Sequence, residues 1–221
     1  MAISPNKLQE LILYAPFYDC VLSLGPPGVA KSAMTYCAAK RAGAVYVAKY
    51  TATMEAIDSR GVPFLVDGPD GARFMAWAPP NDWPTKAVME RYPADTEIVV
   101  NLDDFGQAPQ SVQKPIARAI YGDGVSRMLG DTHILPNVRF AGTSNREQDR
   151  AGVHRFETYV ANRVVFVEVE PNVDEWASGA INGFPIPEPD VDYPKLREKI
   201  NKAVALGIPD ELIAYVKWGK Q

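Results

Sequence analysis

Apolar residues along the chain switch repeatedly between a strand-like and a helix-like spacing, and that switching sets the expected architecture. Leu8, Leu11 and Ile12 fall on one face of a helix predicted over 7–14. CVLSL, residues 20–24, is a compact apolar run of the kind that forms a strand buried on both faces. A glycine-rich turn, GPPGVAKS at 25–32, follows it, and SAMTYCAAKRAG then reads as a helix closing at Gly43. AVYVAKY, 44–50, is the next strand. Strand, turn, helix and strand in that order make a βαβ unit.

Prolines punctuate residues 51–95, and PFLVDGPDGARFMAWAPP suits a β-hairpin. Val66 precedes its Gly-Pro-Asp-Gly turn, and Phe74, Ala76 and Trp77 follow it. TEIVVNLDDF, 96–105, is a strand ending in two acids, and QAPQSVQKPIARAIY is a helix with Pro109 near its start. Pro115 should kink that helix or delay its beginning, because an interior proline costs about 3 kcal/mol in a lost bond and a clash. NVRFAGTSN, 137–145, and RVVFVEVEP, 163–171, are the remaining strands. Strands interleaved with helices imply a mainly parallel sheet covered on both faces.

After Pro171 the pattern changes. Asn172 and Glu175 have capping-box spacing, so a helix should start there, with Trp176 anchoring it to the core. A proline-rich connector, INGFPIPEPDVDYP, leads to an amphipathic helix through Leu196, Ile200 and Val204, then a short final helix. The reading is a core over 1–170 with a hairpin insertion around 64–80, and a small helical lid over 171–221.

Composition narrows the classes. A length of 221 residues suits one large domain, or one with a small appendage. A net charge of −4 gives no field that draws the chain to nucleic acid or an acidic membrane. Cys20 and Cys37 are the two cysteines and form no metal-ligand spacing. With no signal-peptide pattern and no apolar run of membrane-spanning length, the chain reads as soluble and cytoplasmic.

The turn at 25–32 carries the candidate chemistry. Gly, four residues, then Gly-Lys-Ser/Thr is a phosphate-binding loop, whose backbone N–H groups cradle phosphate oxygens at a helix N-terminus. Gly25, Pro26, Pro27, Gly28, Val29, Ala30, Lys31, Ser32 and Ala33 form that cradle here. Ala30 stands in place of the second glycine; it is expected where the backbone already turns helical, so its methyl group is tolerated. Lys31 would reach the terminal phosphates and Ser32 would ligate Mg²⁺. Asp103 is the candidate for the metal shell, and Asp104 for polarising an attacking water. Asn145 could orient that water or the γ-phosphate. Each of these has a plain structural reading as a turn, cap or strand end. Their order, each at a strand's carboxyl end, gives them joint weight.

GPPGVAKS, IDSRGVP, LDDFGQAP, AGTSNREQDRAG and ANRVVFVEVEP occur in this order, and the series resembles MoxR-type AAA+ ATPases, closest to a bacterial and phage branch. The resemblance implies a P-loop NTPase core of three αβα layers with a partial helical lid. It also implies ATP and Mg²⁺ held in a homo-oligomeric ring, typically a hexamer. Arg163 then matches the arginine finger that acts on a neighbour's nucleotide, with Arg150 and Arg155 as rivals. The hairpin would face the ring's pore, where Phe74 and Trp77 would grip a partner. The client implied is a protein, such as one carrying a von Willebrand factor A domain. Two departures stand out: the family has glutamate at Asp104, and it continues through a longer lid bearing a second sensor arginine. Three other readings stay open: a DNA motor or loader, a small-molecule kinase, and a module that binds ATP without cleaving it.

Overall fold

A computed structural model describes residues 2–16, 19–121, 126–149, 152–153 and 156–182. Arg150, Arg155 and both helices expected beyond the proline-rich connector lie outside these residues. β1 (Ala2–Ile3) leads into α1 (Pro5–Tyr14), β2 (Cys20–Leu24), α2 (Lys31–Arg41) and β3 (Val45–Tyr50). The short helix α3 (Ala56–Arg60) precedes an antiparallel hairpin of β4 (Val62–Asp67) and β5 (Arg73–Ala78). Then come β6 (Ile98–Asp103), α4 (Gln110–Ile120) and a small hairpin of β7 (Met128–Leu129) and β8 (Thr132–His133). β9 (Val138–Ser144), α5 (Thr158–Ala161), β10 (Val164–Val169) and α6 (Val173–Asn182) complete the described chain.

Six strands form one sheet in the order β1-β10-β2-β9-β6-β3, and every neighbouring pair in it is parallel. Side-chain parity along these strands sorts the core into two layers. Cys20, Leu22, Ile98, Val100, Leu102, Val138 and Phe140 pack with Val112 and Ile116 of α4. Val21, Ala141 and Val169 face the other way, toward Leu8 and Ile12 of α1 and Met34 and Ala38 of α2. Helices therefore cover both faces of the sheet, giving three αβα layers.

Two expectations are corrected. α4 runs unbroken from Gln110 to Ile120 through Pro115, with Pro109 as its N-cap. The Pro109 carbonyl accepts the Val112 and Gln113 N–H groups, so the helix starts early rather than late. Val112, Ile116, Ala117 and Ile120 are all buried. Several buried apolar side chains at about 1.5–3 kcal/mol each outweigh the roughly 3 kcal/mol that the proline costs.

Trp176 does not anchor α6 to the core: it is 63% exposed. Polar contacts hold that helix instead. Asn172 Oδ1 accepts the Asp174 and Glu175 N–H groups, each at 3.1 Å. Glu175 Oε2 reaches across to accept the Asn6 N–H at the start of α1. One half of the capping arrangement is thus local, and the other ties α6 to α1.

Candidate functional site

Because the sheet is all parallel, the carboxyl ends of β2, β9 and β6 lie side by side on one edge, where ligands of open α/β sheets collect. Register pairs Leu24 with Ser144, and Leu102 with Gly142. Parity then decides which side chains share a face. Leu102 points into the α4 layer, so Asp103 points to the α2 side. Phe140 does the same on β9, so Thr143 shares the face of Asp103.

The loop after β2 is shaped by two glycines with different reasons. A Cβ on Gly25 would sit 2.5 Å from the Val169 carbonyl oxygen, so only glycine lets the backbone pass that close to β10. Gly28 has φ +82°, a left-handed conformation. Ala30 corrects the sequence reading: at φ 66° and ψ 24° it is left-handed, not yet helical. An L-residue there costs roughly 1–2 kcal/mol, so the methyl group is accommodated with strain.

α2 begins at Lys31, directly after that turn. Lys31 Nζ donates to the carbonyls of Gly25 and Pro26, each at 2.9 Å, and to Asn145 Oδ1 at 3.1 Å. Burial pushes its pKa down, and the nearby charges of Asp104, Asp149 and Asp103 oppose that shift. Ser32 Oγ donates to Asp103 Oδ1 at 2.5 Å, and Thr143 Oγ1 donates to the same oxygen at 2.7 Å. The loop, Asp104 and Asn145 therefore meet in one cavity of about 290 Å³, lined by residues 27–33 with Asp104, Thr143 and Asn145, and Asp103 reaches its edge through Ser32 and Thr143.

Asp104 also has a left-handed backbone, φ 54° and ψ 40°, a region in which aspartate is several-fold enriched. Its N–H donates to Thr143 Oγ1 at 3.0 Å, and its Oδ1 accepts from Gln107 Nε2 at 3.2 Å. Burial raises its pKa, and the charge of Asp103 adds to the rise; Lys31 and Gln107 act against it. Thr143 and Gln107 went unnoticed in the sequence. The signal for Thr143 was its place near the carboxyl end of the apolar run VRFAGTS, two residues before Asn145.

Arg163 lies elsewhere. It precedes β10, whose first residue pairs with Cys20 at the amino end of β2. Five strand residues, roughly 16 Å, separate that level from the loop. Its guanidinium donates to the Tyr159 carbonyl and sits over the Tyr159 ring at 3.7 Å. On the far side of the loop, an apolar cavity of about 160 Å³ is lined by Pro5, Val29, Met34, Pro171, Val173 and Trp176. No cluster of three or more His, Cys, Asp or Glu side chains suited to a metal ion occurs among the described residues. Among them, no helix is long and apolar enough to cross a membrane.

No family model and no curated protein matches the sequence. Among solved structures, the chain is similar to a candidate ATPase from Cytophaga hutchinsonii ATCC 33406, with a TM-score of 0.50 and 16% identity. That match covers 90% of this chain and 57% of the other, so this chain spans little more than half of that protein's length. NtrX from Brucella abortus also matches, with a TM-score of 0.43 and 18% identity over 77% of this chain and 37% of that one. The parallel six-stranded sheet between helical layers, with the loop after β2 at its carboxyl edge, is a three-layer α/β fold shared with that solved structure.

Proposed function

We propose that the protein is an AAA+ ATPase of MoxR type that binds ATP with Mg²⁺, hydrolyses it and remodels a partner protein from within a ring. One observation carries the reading: Lys31, Ser32, Asp104 and Asn145 line a single cavity at the sheet's carboxyl edge, and Ser32 is bonded there to Asp103. In the proposal, residues 25–33 cradle the phosphates with backbone N–H groups at the N-terminus of α2. Lys31 exchanges its carbonyl partners for phosphate oxygens, and Asn145 holds the terminal phosphate. The apolar cavity beside Val29 and Met34 takes the base.

The residues present suit Mg²⁺. A serine hydroxyl and a carboxylate meeting at one point are the hard oxygen donors it prefers, with the remaining ligands left to phosphate and water. Bound there by Ser32, and by Asp103 through its shell, Mg²⁺ would neutralise charge on the phosphates. Asp104 draws the proton from the attacking water, and its raised pKa suits a base. Arg163, too far from its own chain's loop, would act on a neighbour's nucleotide, which requires a ring. The site of action would be the cytoplasm.

Native mass spectrometry with and without ATP and Mg²⁺, on wild type and Lys31→Ala, tests this. A nucleotide-dependent ring in wild type that Lys31→Ala fails to form is the expected result. A monomer under every condition removes Arg163 from the mechanism. A second reading, ATP binding without turnover, is favoured by the short Asp104 side chain being held by Gln107. Tight ATP binding with no phosphate release, in wild type and in Asp104→Glu, would establish that reading instead.

A further inference from the structure

The single hydroxyl of Thr143 bonds both aspartates, one at its carboxylate and the other at its backbone N–H. Its Oγ1 donates to Asp103 Oδ1 at 2.7 Å and accepts the Asp104 N–H at 3.0 Å. The residue is 1% exposed, so both bonds are made within the protein. With one proton on the hydroxyl, the direction of both bonds is fixed: the proton goes to the carboxylate, and a lone pair takes the N–H.

We propose that Thr143 is a positioning residue that sets the orientation of the two carboxylates; the proposal rests on the ATPase reading above. Asp103 Oδ1 receives two hydroxyl donors, Ser32 and Thr143, which approach from α2 and from β9. If the Ser32 hydroxyl turns to a metal ion, Thr143 is the donor that keeps that carboxylate oriented. At Asp104 the role is different. A left-handed backbone persists only where its surroundings over-determine it. The N–H bond to Thr143 supplies that constraint from the neighbouring strand, and the Gln107 amide fixes the carboxylate end. Thr143 therefore acts on the reacting atoms through Asp103 and Asp104.

The experiment compares Thr143→Val, Thr143→Ser and Thr143→Ala in the full chain. Valine keeps the shape without the hydroxyl, serine keeps the hydroxyl without the methyl, and alanine keeps neither and adds no bulk. Three quantities are read: ATP affinity without metal, the Mg²⁺ concentration giving half-maximal turnover, and kcat. Thr143→Val should bind metal-free ATP within about twofold of wild type, since its lysine and loop are untouched. Its kcat should fall by about 10- to 100-fold, the scale of a misplacement near 1 Å. Its Mg²⁺ requirement should rise several-fold, and Thr143→Ser should restore both. If valine does not fold, Thr143→Ala replaces it in the same comparison with serine.

Equal losses in serine and the hydroxyl-free variants would overturn the proposal, as would a valine variant that behaves like wild type. A fall in metal-free affinity parallel to kcat would mark Thr143 as merely structural and overturn it too. The ATPase reading fails separately, through wild type that neither binds nor cleaves ATP. Wild type that binds without cleaving removes the Asp104 half of the proposal. The Mg²⁺ dependence of ATP binding then decides the Asp103 half, with serine against valine as before.

Discussion

Lys31 Nζ donates to Asn145 Oδ1 across 3.1 Å, although 114 positions separate the two residues along the chain. The ammonium is buried and saturated by acceptors of its own chain, with Gly25 and Pro26 supplying the other two. Replacing the ammonium with an apolar group relieves the desolvation of a buried charge but leaves three acceptors without their donor. Lys31→Met should therefore change the unfolding free energy by less than about 2 kcal/mol, since lost carbonyl partners at about 1 kcal/mol each offset the relief. Calorimetric titration should show ATP affinity falling at least 100-fold at the same time. A variant that retains ATP binding would remove Lys31 from the proposed phosphate site.

The left-handed turn at Ala30 makes a prediction of opposite sign at its neighbour. Ala30→Gly relieves a conformational cost of roughly 1–2 kcal/mol and adds back part of it as unfolded-chain entropy. Urea unfolding should show a net gain of about 0.5–1 kcal/mol. Gly28→Ala, at φ +82° with open space around its Cβ, should lose about 1 kcal/mol for the same conformational reason. Equal and opposite shifts would confirm that backbone handedness, not packing, controls the loop.

Much of this site was legible in the sequence because its parts are local. Five strands are apolar runs with sharp ends, and the loop, acid pair and asparagine each follow one of them. Parallel order then brings those ends together without further information. The backbone at Ala30 was misread because alanine carries no local signal for a left-handed φ, which residue type alone does not encode. Pro115 was misread because a local penalty was weighed without the α4 face that outweighs it. Trp176 was misread because a capping pattern starts a helix but does not say which side faces the core. Thr143 was missed because its importance lies in cross-strand partners, one on β6 and one just beyond it.

Lys49 and Asp82 form a buried-to-exposed ion pair with unequal ends: their side chains are 4% and 59% exposed. The Lys49 ammonium also lies 4.8 Å from the centre of the buried Trp83 ring, whose Nε1 donates to the Asp58 carbonyl. Burial lowers the Lys49 pKa, against the pull of Asp82. Removing the exposed carboxylate leaves the buried ammonium only the residue 82 carbonyl and the Trp83 ring, so Asp82→Ala should cost about 1 kcal/mol. Lys49→Met should cost far less, because Asp82 remains hydrated. The pH dependence has a definite sign. Between the lowered folded pKa and the unfolded lysine value, the unfolded chain holds the extra proton, so wild-type stability rises with pH relative to Lys49→Met. Denaturant titrations of both proteins in the alkaline range would show it; parallel curves would refute it.

Asp104 combines a backbone that suits aspartate with a proposed role as base that glutamate's longer reach would suit, and two substitutions separate these demands. Asp104→Asn keeps a residue that tolerates left-handed φ and removes a carboxylate whose ionisation is opposed by burial and by Asp103. It should unfold at a higher temperature than wild type, retain ATP and release no phosphate. Asp104→Glu adds the methylene that extends reach toward the water, but glutamate gains no such tolerance of φ 54°. It should lose about 1 kcal/mol of stability while its turnover rises. Thermal unfolding and phosphate release on the same samples give both readings. An increase in turnover without loss of stability would mean that the Thr143 bond alone holds the turn; a loss of both would mean that the shorter acid is already the better fit for this site.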